Sequence, residues 1–177
     1  MRVRIKRFNK YKMEEKKIDI LIKVYQLHEL SNSDRELVEA ARQATRNAYA
    51  PYSEFNVGAA IALANGEVVC GSNQENAAFS SGTCAERSAC FYASSRFPGV
   101  AFKAIAIAAS TRRGHKADAS FDECFQDMPI SPCGSCRQAL LEYENKYGDI
   151  RVLLYGRNGV YELPSVKSLM PLSFVEF

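Results

Sequence analysis

Val57-Gly-Ala-Ala-Ile-Ala-Leu-Ala-Asn65-Gly66-Glu67-Val-Val-Cys70 is the stretch on which the fold turns. Asn-Gly is the strongest two-residue hairpin signal, because a type I′ turn needs positive φ at both central residues. The runs Val57–Ala64 and Glu67–Cys70 therefore become antiparallel strands, within a β-like pattern reaching from Asn56 to Asn73. Towards the C-terminus, Cys84–Phe97 has helical spacing and stops at Pro98-Gly99. Lys103–Ala109, almost all Ile and Ala, suits a strand covered on both faces. Thr111–Pro129 is polar, irregular and long enough to be a lid or rim. Cys133–Tyr147 is a second helix and Ile150–Tyr155 a short buried strand. Asn158-Gly159 then turns the chain into Val160–Leu163 and a final short helix.

Towards the N-terminus, Ser33-Asp-Arg-Glu36 reads as a capping box opening a helix that runs to about Ala48 and is stopped by Pro51. Residues 1–30 form an extension whose β-like stretch, Ile18–Tyr25, can pair onto a sheet edge. Residues 31–177 form one domain. This order of elements predicts an α/β fold, a three-layer α/β/α sandwich around a mixed central sheet.

The 177 residues allow one domain with a sizeable core, at 47% apolar composition. No run approaches the roughly 18 uncharged apolar residues of a membrane helix. No secretory h-region follows the basic start either, so the expected location is cytoplasmic. The net charge of +3 is unevenly placed: Arg2, Arg4, Lys6, Arg7, Lys10 and Lys12 lie in the first 12 residues without an acid, leaving 17 basic against 20 acidic residues. An acidic body is a poor match for a phosphate backbone, which argues against nucleic acid as a partner. The basic start reads as a solvated tail.

Six cysteines in a cytosolic chain point to metal or catalytic thiols before disulfides. Cys133 and Cys136 are three apart, so on the first turn of a helix both sulfurs face one side. Zinc accepts that geometry, and Cys84, at the start of the other helix, supplies a third thiolate. Three thiolates around Zn²⁺ leave one net negative charge, which two helix N-termini and Arg87 offset. The fourth position then stays open for water, which zinc acidifies to a pKa near about 7. Glu86 is the candidate proton shuttle between that water, a ring nitrogen and a leaving amine. Residues two apart on a regular helix point to nearly opposite sides, so this reading requires Cys84 at or before the first helical residue.

Cys84-Ala-Glu86 with Pro132-Cys133-Gly-Ser-Cys136 resembles the three-cysteine form of the zinc deaminase signature. From about Ala48 to Phe174 the chain resembles the small homotetrameric cytidine deaminases. The resemblance is carried by Pro51-Tyr-Ser, Val57-Gly-Ala-Ala, Asn73-Gln-Glu-Asn-Ala, Gly82, Ser131-Pro-Cys-Gly-Ser-Cys-Arg-Gln and Leu172-Ser-Phe174. It implies the same α/β/α sandwich and hydrolytic deamination of cytidine and deoxycytidine in pyrimidine salvage, by a Zn²⁺ enzyme that is a homotetramer. It also implies that Asn73 and Glu75 bind the ribose hydroxyls and that Phe55 packs on the nucleoside. The Ala85 N–H would meet the pyrimidine carbonyl, and Phe79 and Phe174 would approach from neighbouring subunits. The chain departs from that pattern at Glu54 and Ser80, where many relatives have His and Pro, in its longer Thr111–Pro129 loop and in residues 1–30.

Competing readings exist for most of these residues. Cys133/Cys136 alone can be a dithiol redox pair. A structural zinc site would need a fourth protein ligand, nominated from Cys90, Cys124 or His115. Another cytosine compound, such as blasticidin S, is an alternative substrate. Cys70 and Cys90 read as small buried residues, Cys124 as exposed in the loop, and His28 and His115 as surface histidines.

Overall fold

The computed structural model describes residues 15–116 and 118–175. The basic run Arg2–Lys12 lies outside them. In chain order the elements are β1 (Lys23–Tyr25), α1 (Asn32–Ala44), β2 (Phe55–Leu63), β3 (Val68–Ser72), α2 (Ala85–Arg96), β4 (Phe102–Thr111), α3 (Gly134–Tyr147), β5 (Arg151–Gly156) and β6 (Gly159–Leu163). The six strands form one sheet in the order β1-β6-β5-β4-β2-β3. Only β4 and β5 run parallel, with α3 in the connection between them. The sheet is mixed, as the order of elements predicts.

Alternation along the central strands assigns the two faces. Ala60, Ala104, Ala106 and Ala108 pack with Val38 and Ala41 of α1. Ala59, Ile61, Ile105 and Ile107 pack with Ala89 and Ala93 of α2 and Leu140 and Leu141 of α3. Helices therefore cover both faces and complete the α/β/α layers. Each fully buried Ile or Leu in this arrangement contributes about 1.5–3 kcal/mol of transfer free energy.

Two glycines set how closely the helices approach. A Cβ on Gly58 would lie 2.1 Å from the Ala41 carbonyl oxygen of α1. One on Gly71 would lie 2.4 Å from the Ala89 nitrogen and 2.6 Å from the Ala85 oxygen of α2. Backbone thus meets backbone on both sides of the β2–β3 hairpin, which only glycine permits. The chain turns at Asn65-Gly66 as predicted, but of the two only Gly66 has positive φ (88°), so the turn is not the type I′ form. The Gly66 N–H donates to the Leu63 carbonyl and the Asn65 side chain accepts the Glu67 N–H, each at 3.1 Å.

Several expectations need correction. The cap of α1 is Ser31, not Ser33: Ser31 Oγ accepts the Asp34 N–H at 3.1 Å. This register places Asp34 where it also pairs with Arg151 of β5, at 2.6 Å. Cys70 is exposed, because β3 is the outermost strand, whereas Cys124 is buried in a 3₁₀ turn, Asp122–Cys124. The final short helix is a 3₁₀ turn, Val166–Leu169. Within Ile18–Tyr25 only Lys23–Tyr25 is paired, on β6. The long loop packs back onto the α1 face, with the Arg42 guanidinium 4.9 Å from the ring centres of both Phe125 and Tyr155 and ion-paired to Asp122. No described helix is long and apolar enough to cross a membrane.

Candidate active site

Cys84 and Cys133 are each the residue immediately before a helix, α2 and α3 respectively, with extended backbone at φ −78°, ψ 157° and φ −67°, ψ 166°. Both helices thus begin with a cysteine where serine or aspartate would ordinarily cap. Cys136 lies in the first turn of α3 and is buried. Because Cys84 precedes the helical spacing, it and Glu86 are not forced to opposite sides of α2. The Sγ atoms of Cys84, Cys133 and Cys136 lie within 4.8 Å of one another, and Cys84 and Cys133 are 3.9 Å apart. All six cysteines are free. Sulfurs on a tetrahedral zinc, each at about 2.3 Å from the metal, are separated by about 3.8 Å, so the cluster fits that ion with little adjustment. Among the described residues no histidine, carboxylate or further cysteine completes the group; Cys90, Cys124 and His115 stand outside it.

Charge around the thiols is arranged in layers. Glu86 is 4% exposed, and its burial raises the carboxyl above the ordinary glutamate range despite the lowering effects of its own backbone N–H, Cys136 and Arg87. Burial and the Glu86 charge likewise raise the Cys84 and Cys136 thiols. Burial acts the same way on Cys133, but the Cys136 backbone N–H and the two neighbouring thiols outweigh it and lower that group. Arg87 lies against Cys84 and Cys136, whose sulfurs hold its charge. Its Nε is buried without a hydrogen-bond partner. A guanidinium left in this state needs anions beside it, which Cys84 and Cys136 would provide as thiolates once a metal is bound.

A cavity of about 470 Å³ opens next to the cluster. Asn73, Glu75, Phe79, Cys84 and Arg87 line it, together with Tyr52 and Thr83. That volume is in the range of small-molecule sites. Asn73 is fixed by the start of β2: its Oδ1 accepts the Val57 N–H at 2.7 Å and its Nδ2 donates to the Phe55 carbonyl at 2.9 Å. Glu75 accepts the N–H groups of Tyr52 and Ser53 at 2.9 and 3.2 Å. The Ser53 side chain, then the Tyr52 N–H, hold its carboxyl below the usual range. Phe55 is half-buried on β2, Ala85 is buried at the start of α2, and Phe174 is exposed near α3, where Gln138 donates to its carbonyl. These three are not among the cavity's lining residues. Nor is any described residue of the Thr111–Pro129 loop.

The sequence model of the cytidine and deoxycytidylate deaminase zinc-binding region matches residues 31–148. The chain belongs to that deaminase family. It is 39% identical over 140 residues to a cytidine deaminase of Sporosarcina psychrophila, covering 78% of this chain and 89% of the relative. Against a cytidine deaminase of Halalkalibacterium halodurans it is 38% identical over 144 residues, 80% and 94% of the two chains. Its fold is similar to the crystal structure of cytidine deaminase from Burkholderia pseudomallei, with TM-score 0.63 and 37% identity over 82% of this chain and all of that one. The enzyme from Mycobacterium tuberculosis gives TM-score 0.60 at 29% identity, with 82% and 99% covered. Zinc is the cofactor of this deaminase family's matched region, and the three-thiol cluster fits it.

Tyr52 and Thr83 also line the cavity without being part of the metal-site pattern. Their sequence signal is adjacency: Tyr52 sits in Pro51-Tyr-Ser, and Thr83 directly precedes Cys84. Thr83 is held by paired backbone bonds to Gln74, each 2.9 Å, which join the Asn73–Glu75 wall to the start of α2.

Proposed function

We propose that this chain is a zinc-dependent hydrolase that converts cytidine and deoxycytidine into uridine and deoxyuridine with release of ammonia. The observation carrying this reading is the juxtaposition of three converging thiols with a buried glutamate, Glu86, whose carboxyl is raised. Cys84, Cys133 and Cys136 would hold the zinc, which when bound would supply the Lewis acidity that makes water a nucleophile near neutral pH.

The chain's own groups do the remaining work. Glu86 takes the first proton from the attacking water and delivers it to ring N3 as the oxygen bonds to C4. It then carries the second proton to the exocyclic amine, which leaves as ammonia when its bond to C4 breaks. A carboxyl raised by burial holds and releases protons closer to neutral pH than an exposed one. Arg87 offsets the thiolate charge, and the Ala85 N–H at the start of α2 meets the pyrimidine carbonyl. Asn73 retains one N–H and one lone pair after serving β2, and the Glu75 carboxylate retains lone pairs beyond those that Tyr52 and Ser53 use; both serve the sugar hydroxyls. Phe55 packs on the nucleoside.

The enzyme acts as a homotetramer in cytoplasmic pyrimidine salvage, with Phe79 and Phe174 completing neighbouring subunits' sites. Phe79 is 97% exposed while lining the cavity, which suits an aromatic ring that packs against a second chain.

The test is a cytidine assay by absorbance and ammonia release, before and after chelation and with zinc restored. Turnover should vanish with the metal and return with it. Full zinc occupancy without turnover on either nucleoside contradicts the proposal. Arg87→Gln should lower both turnover and zinc retention; unchanged values remove its assigned role.

A further inference from the structure

The sequence Ile18-Asp-Ile-Leu-Ile-Lys-Val-Tyr25 ends in the outermost strand of the sheet. Its aliphatic side chains face solvent: Leu21 is 64% exposed, Val24 59% and Ile18 52%. Lys23, Val24 and Tyr25 pair with Glu162, Tyr161 and Val160 of β6. Continuing that register would set Leu21 against Pro164, which has no N–H to donate. The ladder stops at Lys23, and Ile18–Leu21 overhangs the end of β6 with no strand beside it among the described residues. An exposed apolar overhang beside an open strand edge is a template for another strand.

We propose that a second copy of this chain occupies that edge. The two segments run antiparallel about a two-fold axis at Leu21. Ile18 of each copy faces Val24 of the other, Ile20 faces Ile22, and Asp19 faces Lys23. The overhang of each copy lies along the outer edge of the other's β1, so both unpaired stretches are used and the contact closes on itself.

Charge selects this register. An axis at Ile20 would oppose Lys17 to Lys23, and an axis at Ile22 would set Lys23 against Leu21 and Asp19 against Tyr25. Moving the axis by half a step puts charged side chains on the face of aliphatic ones. Only the Leu21 axis pairs acid with base twice while matching aliphatic with aliphatic. Asp19 is available for this pairing: among the described residues its ion pair is with Lys17, at 3.0 Å, with both side chains about four-fifths exposed, and such a pair is weakly held.

Full-length Leu21→Cys protein, zinc-loaded and treated with a short thiol-specific crosslinker, tests the geometry. The expected product is residues 18–23 of one chain linked to residues 18–23 of another through position 21, identified by peptide mass. Sedimentation tests the charge pattern. Asp19→Lys and Lys23→Asp should each weaken self-association about tenfold, and Asp19→Lys/Lys23→Asp should restore it. Absence of the 21–21 linkage, or equal association across the charge variants, overturns the proposal. None of these residues lines the cavity or joins the thiol cluster, so the outcome is read independently of turnover.

Discussion

Replacing Gly71 with alanine places a methyl group where α2 already stands. The new Cβ would lie 2.4, 2.6 and 2.9 Å from three backbone atoms of Ala85 and Ala89, against an ordinary contact of 3.4 Å or more. These atoms cannot rotate away, so the helix must retreat by about 1 Å from β3. Overpacking of this kind costs about 1–3 kcal/mol. In a chain of this length that lowers Tm by roughly 2–4 °C per kcal/mol. The same retreat carries Cys84 and Glu86 with it, and a displacement of about 1 Å at reacting groups costs on the order of 10²-fold in rate. Urea unfolding of the zinc-loaded protein and cytidine turnover measure the two effects separately. Gly134→Ala is the steric control, since outside its chain neighbours and the backbone of its own helix nothing lies within 4 Å of its Cβ, and it should not lose stability. If G71A matches the parent in both assays, the packing argument is wrong. If it loses stability but keeps full turnover, the seat of α2 on β3 does not set the site.

Glu144 and Asp34 give two further tests. Glu144 is 1% exposed and its carboxylate accepts the N–H groups of Ile150, Val166 and Lys167, tying α3 to β5 and the C-terminal turn. Glu144→Gln points an amide donor at donors and should cost about 2–4 kcal/mol in urea unfolding; a loss under about 0.5 refutes that role. Burial would raise the Asp34 carboxyl, but Arg151 and Ser31 outweigh it and lower the group. The folded chain therefore holds that proton less tightly than the unfolded one, and the resulting stability is present above the unfolded pKa and lost as pH falls through the folded value. The stability advantage over Asp34→Asn should thus shrink below about pH 4, as read from urea midpoints across pH; an advantage that grows with acid contradicts the pairing.

Local signals transferred well to the structure where the chemistry is local. Asn65-Gly66 makes its turn from two adjacent residues, Gly66 supplying the positive φ and the Asn65 side chain accepting the Glu67 N–H. Cys133 and Cys136 lie close together because one helical turn separates them. The alternation of Ala and Ile along β4 already distinguishes a thin face from a thick one. Features decided by distant partners were harder to read. Ser31 and Ser33 both precede an acid by three residues, and the pairing of Asp34 with Arg151, 117 positions away, accompanies the Ser31 cap. Burial of Cys124 follows from a loop held down by Arg42 and the aromatic rings of Phe125 and Tyr155, which no spacing rule exposes. Exposure of Cys70 follows from strand order, since its strand has the same pattern whether central or at an edge.

Glu86→Gln tests proton transfer at the site most directly. This change removes a carboxyl that is buried beside the thiols while leaving Cys84, Cys133 and Cys136 in place. Measured together, zinc content per chain should stay at the parent value and cytidine turnover should fall by about 10²–10⁴-fold, the share that a positioned proton carrier supplies. Near-parent turnover with zinc retained would contradict the assignment of proton transfer to this residue.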